Sequence, residues 1–129
     1  MTSRTFDAAL LLRDIDDGAE TATVAETGIA LDVRHASTIQ ATFDVTALDT
    51  SSGNEAYALS LETDSLAAFS DSPVQVAAVS VSATGRYVLT ASSELIAKLD
   101  PNAAAIRCKL TASGTTPSIT YGCFLSPVA

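Results

Sequence analysis

Tryptophan is absent from this sequence, and aromatic residues make up only 5% of its 129 positions. That scarcity argues against a sugar-binding module, which needs flat aromatic platforms for sugar rings. Charge is also scarce. Charged residues account for 17% of the chain, against about 25% in an ordinary soluble domain. Part of the surface is therefore expected to be apolar or merely hydroxylic, as in protomers that hide surface in an oligomer or on a partner. Basic residues are scarcest of all. Seven stand against fifteen acidic residues, for a net charge of −8. A nucleic-acid binder needs a basic footprint that this chain lacks, and an anionic membrane surface would repel it. No apolar run reaches the ~18 residues of a membrane span.

The opening MTSRTFDAALLLRD is interrupted by Asp7 and followed by no cleavage pattern, so it does not read as a secretory signal. Synthesis in the cytoplasm is expected, and the two cysteines then read as reduced thiols rather than a staple. A chain of this length makes one domain and buries enough surface to stand without metals or disulfides.

Catalytic and metal-binding patterns are equally sparse. His35 is the only histidine. A zinc or cupin-type site needs several nitrogen or sulfur ligands, and a Ser-His-Asp triad would have to run through this one residue. Its setting, Arg34-His35-Ala36 at a strand end, suits a surface position. Asp14, Asp16, Asp17 and Glu20 crowd around Gly18. A calcium loop places acids at alternating positions before a glycine and closes on a distant glutamate. Here Asp17 falls out of step and the closing glutamate is missing, so a solvated acidic turn is the reading. No phosphate loop and no CxxC pair occur. The expectation is a protein without cofactor, metal or enzymatic activity.

What the chain does have is alternation. Thr38 to Leu48 sets Ile39, Ala41, Phe43, Val45 and Ala47 against Gln40, Thr42, Asp44 and Thr46. Such period-two spacing marks a strand with one buried face. Ala56 to Glu62, Val74 to Val81 and Arg86 to Thr90 continue the pattern, with shorter β-branched pieces at Thr21–Val24 and Ile29–Val33. Thr63 to Ser72 is the one segment expected to hold a helical turn, with Leu66 and Phe69 inward. Ala91 to Asn102 reads as an irregular link, because Pro101 bars a continuous strand. Ala104 to Leu125 reads as a closing hairpin. Ile106, Cys108 and Leu110 face inward on its first strand, and Ile119, Tyr121, Cys123 and Leu125 on its second, around Ser113-Gly114-Thr115-Thr116-Pro117. Cys108 and Cys123 would lie near-opposite, either bridged or as buried thiols; a cytoplasmic origin favours thiols. About eight strands without βα alternation predict an all-β fold: an antiparallel β-sandwich, a jelly roll first and an immunoglobulin-like sandwich second. Residues 15–129 form the domain, and residues 1–14 an N-terminal arm or edge strand.

Two surface features suggest contacts. Phe6, Leu10, Leu11 and Leu12, with Arg13 at their end, are more apolar than a free terminus should be, so they are candidate interface residues. Arg107 and Lys109 lie on the outward side of their strand and form a positive spot. Residues 1–64 carry three basic and twelve acidic residues, whereas residues 65–129 carry four basic and three acidic. The spot is either a solvated face or a dock for an acidic turn of a neighbour.

The wording of several stretches resembles a known group. TFDAALLLRD, ATV…TGIALDV, TFDVTALDTSSGNEAYALSLETD and GRYVLTAS…IRCKLTASGTTPSITYGCFL are similar to the small cement or decoration proteins of tailed-phage capsids, of the jelly-roll type. The resemblance implies a protein on the outer surface of the virion. It would bind the mature head as a homo-oligomer, a dimer or trimer, bridge neighbouring copies of the major capsid protein, and stiffen the shell against internal DNA pressure. Another virion module, such as a tail or head-fibre protein, is the first alternative. A glycan-binding β-sandwich is the second.

Overall fold

A computed structural model describes residues 10–31 and 38–128. His35 and Phe6 lie outside the described residues. Among these residues, ten strands and one α-helix follow in the order β1 (Leu11–Arg13), β2 (Ala19–Glu20), β3 (Val24–Ala25), β4 (Ile29–Ala30), β5 (Thr38–Leu48), β6 (Ala56–Asp64), β7 (Val74–Val81), β8 (Gly85–Ser92), α1 (Ser93–Leu99), β9 (Ala105–Ser113) and β10 (Ile119–Val128), with a 3₁₀ turn at Ile15–Asp17.

The strands form two antiparallel sheets. The first runs β1-β10-β5-β8, with β2 also on β10; the second runs β3-β9-β6-β7, with β4 also on β9. The expected all-β sandwich is the observed architecture. Alternation explains the layers. On β5, Ile39, Ala41, Phe43 and Val45 are buried, and they meet Leu59, Leu61, Ile106, Cys108 and Leu110 of the other sheet in one core. β10 adds Ile119, Tyr121, Cys123 and Leu125 to the same layer. Burying these side chains is the main favourable term, at roughly 25 cal/mol for each Å² of apolar surface removed from water.

Connections depart from the sequence reading in one important way. β9 and β10 are not a hairpin. β9 pairs with β6 in one sheet, and β10 pairs with β5 in the other. The Ser113–Ser118 segment therefore crosses between sheets. Gly114 allows it: its φ is 113°, and a Cβ there would overlap the Glu55 backbone. The loop between β5 and β6 crosses at the same end, and the two loops are laced together. Asn54 Nδ2 donates to Thr115 Oγ1 at 2.8 Å, the Thr115 amide donates to Asn54 Oδ1 at 3.0 Å, and Tyr57 Oη receives the Ser118 amide at 2.8 Å. β7 and β8 also lie in different sheets, whereas β6 and β7 form a true hairpin.

The helix lies elsewhere than expected. Residues 65–73 are irregular, with Phe69 and Ser72 at φ of 54° and 59°. Phe69 is buried, but Leu66 is exposed. The Asp64 carboxylate holds this loop by accepting from the Ser65 and Asp71 amides at 2.8 and 3.0 Å. The helix forms within the link read as irregular. Ser92 Oγ caps its start by accepting from the Leu95 amide at 3.0 Å, Glu94 sits in the first turn and Lys98 in the last. α1 packs on β7 and β8, and fully buried Ile96 faces the core there.

Candidate functional site

The charged and apolar residues singled out in the sequence fall into two intramolecular clusters. The first surrounds Arg13. β1 pairs with the outer side of β10, placing Arg13 opposite Cys123. Its guanidinium turns inward, where only 2% of the side chain is exposed. Every nitrogen of the planar fork is used. Nε donates to the Tyr121 carbonyl at 3.0 Å, NH2 to the Gly18 carbonyl at 2.7 Å, and NH1 to Glu20 and Glu26, each at 3.1 Å. The charge also lies 4.7 Å from the centre of the Tyr121 ring. Burial alone would pull the Arg13 guanidinium down, but Glu26 and Glu20 hold it above its ordinary value. Burial pushes the Glu26 carboxyl up, more than Arg13 pulls it down. Because Glu26 follows β3 in one sheet and Glu20 ends β2 in the other, Arg13 clamps the two sheets at their edge.

The apolar candidates beside it are used the same way. Leu12 is 5% exposed and in the core, Leu10 packs against the core, and Leu11 pairs with Phe124. The segment Leu11–Arg13 is thus an edge strand of the domain itself. A cleft of about 310 Å³ opens beside it, lined by Leu12, Arg13, Asp14, Asp17, Glu26 and Gly28 among others. Asp14 is not simply solvated: its carboxylate caps the following 3₁₀ turn by accepting from the Asp16 amide at 2.9 Å.

The second cluster lies on the outer face of the other sheet. Register places Arg107 opposite Glu62. Glu62 Oε1 accepts from Arg107 Nε at 2.9 Å and NH2 at 2.8 Å, and Lys109 Nζ lies 3.8 Å from Oε2. The Phe69 ring covers the guanidinium at 4.3 Å. The ring in turn sits against Gly28, where a Cβ would overlap Phe69 Cε1. The positive spot expected on this face is therefore matched by an acid of the same chain, and Glu62 is itself 9% exposed.

Between the clusters lie the two thiols. Cys108 and Cys123 are free and buried, on opposite sheets rather than on one hairpin. Burial, then the neighbouring Cys108, pushes the Cys123 thiol up, so it stays protonated and unreactive. Burial likewise pushes up the Tyr121 phenol, whose buried Oη has no hydrogen-bond partner among the described residues.

The sequence reading expected apolar surface but missed where it lies. Among the described residues, the large exposed apolar side chains are Leu66, Val88, Leu95 and Leu99. Leu95 and Leu99 share one face of α1, four residues apart. Ser92, Glu94, Lys98 and the following Pro101 are helix-boundary signals that could have revealed this face. Among the described residues, no group of three or more His, Cys, Asp or Glu is placed to hold a metal ion. The chain matches no family model, no curated protein and no solved structure.

Proposed function

We propose that this chain is a structural virion protein that decorates the outside of a tailed-phage capsid and ties neighbouring major capsid subunits together. The strand order carries the reading. If β1 with β2, and β3 with β4, count as two interrupted edge strands, eight strands run 1-8-3-6 in one sheet and 2-7-4-5 in the other. We read that winding as a jelly roll, the two-sheet Greek-key architecture common among capsid proteins. An immunoglobulin-like sandwich would instead place its first, second, fifth and fourth strands in one sheet. The fold alone does not carry a function; it agrees with the sequence likeness, which spans most of the chain. The laced crossing loops and the Arg13 clamp suit a protein whose task is to stay folded under load. The low charge suits association through apolar and hydroxylic surface, and the protein is proposed to act as a homo-oligomer.

The test is co-sedimentation of purified protein with tailed-phage heads assembled without a decoration protein. Saturable binding, added density on the outer shell and greater resistance of the heads to heat are expected. Binding to tails alone would assign another virion module. Retention on a sugar array without head binding would assign a glycan-binding sandwich.

A further inference from the structure

We infer that the α1 side of the protein is a self-complementary surface on which a second copy of the chain docks, the two α1 helices antiparallel about a two-fold axis.

The exposed apolar residues lie on α1 and on segments joined to it. Val88 lies on β8, which leads directly into α1. Leu95 and Leu99 are on the helix. Leu66 follows the end of β6, and Thr63 Oγ1 donates to Asp100 Oδ2 at 2.9 Å, which ties that end to the helix terminus. Leu95 and Leu99 are thus the exposed apolar pair of α1, with Val88 on the strand that leads into it and Leu66 on the segment after β6.

Charge selects the occupant. Glu94 and Lys98 are exposed and have no ion-pair partner among the described residues. At 100° per residue they lie together on one flank of the Leu95–Leu99 stripe. A two-fold axis that makes the helices antiparallel keeps like flanks together and reverses direction. Leu95 then meets Leu99 of the second copy, and Glu94 meets Lys98, twice over. A parallel two-fold axis would instead carry this flank to opposite sides of the seam and leave both charges without a partner across it. Two copies at −8 each repel, so an arrangement with two attractive pairs at its centre has a clear advantage. A seven-residue helix spans only about 10 Å, so the contact falls short of the ~800 Å² per partner of tight dimers. The dimer is therefore expected to be concentration-dependent.

This inference does not rest on the virion reading, because it needs only the purified protein. Analytical ultracentrifugation over a dilution series tests it. Wild type should move from the 13.2 kDa monomer toward a dimer as concentration rises. Lys98→Glu should weaken that dimer by about tenfold or more, the equivalent of ~1.4 kcal/mol. Glu94→Lys combined with Lys98→Glu should restore it. Leu95→Ser with Leu99→Ser should abolish it, with unchanged circular dichroism showing that the fold survives. A monomeric wild type would overturn the inference. So would a dimer indifferent to Lys98→Glu, or a charge swap that fails to restore association.

Discussion

Arg13 and Arg107 each hold glutamate on a strand of the same sandwich, yet one is enclosed by the fold and the other by a loop. Arg13 lies between the sheets and divides its donors among two carboxylates and two carbonyls from β10 and the edge segments. Arg107 lies outside its sheet, turns two donors on a single oxygen of Glu62, and is covered by the Phe69 ring. The difference teaches where each pair's energy comes from. A charge enclosed by two layers cannot lose one partner without leaving another ion uncompensated in a poorly solvated place. A charge under one aromatic ring regains water as soon as that ring moves.

The largest effect that would sharpen this contrast is loss of the inner clamp. Arg13→Met should destabilise the domain by about 3–5 kcal/mol, because Glu20 and Glu26 lose their common partner. Chemical denaturation would measure it, and a loss below ~1 kcal/mol would mean that the clamp closes nothing. A smaller effect is expected at the outer cluster's lid. Gly28→Ala should push the Phe69 ring off Arg107 and cost about 1–3 kcal/mol by overpacking. In a Phe69→Ala background the same change should cost almost nothing, and additivity of the two would show that Gly28 and Phe69 are not in contact.

The smallest effect separates the two clusters by pH. The folded protein holds Glu26 above its ordinary value of 4.5. A folded state that binds its proton more tightly loses stability as pH rises between the ordinary and the raised value. The stability of wild type relative to Glu26→Gln should therefore fall across that window and be flat above it. A relative stability that rises with pH there would mean that attraction to Arg13 outweighs burial.

Legibility in the sequence follows the range of each signal. Burial on alternate residues is local, so β5 and β7 have the bounds that the Thr38–Leu48 and Val74–Val81 patterns predict. Sheet membership is not local. β9 and β10 are separated by five residues, 114–118, and each alternates as a hairpin strand would, but their partners are β6 and β5. Nothing in a period-two pattern distinguishes a turn within a sheet from a crossing between sheets. The same limit applies to charge. Glu62 and Arg107 are 45 residues apart, so Arg107 and Lys109 look unpartnered until register sets them beside an acid. α1 is a different case. Its cap, its charges and its following proline are all local signals. Pro101 carries equal weight as a breaker of a strand, and in a chain dominated by strands that reading prevails. The candidate interface residues of the N-terminal segment also look free in sequence because an edge strand of three residues is too short to show its period.

Charge reversal at the outer cluster tests most directly whether the charges visible in this sequence are spent within the fold or displayed to a partner. A displayed spot tolerates Arg107→Glu with Lys109→Glu without change in Tm, since exposed pairs contribute only ~0–1 kcal/mol. Pairs spent within the fold do not, because the double change sets two further carboxylates beside Glu62, whose side chain is 11% exposed. We predict a loss of about 2 kcal/mol or more, read as a fall in Tm of several degrees. A double variant that melts with wild type would contradict the account and return Arg107 and Lys109 to the surface as a docking spot.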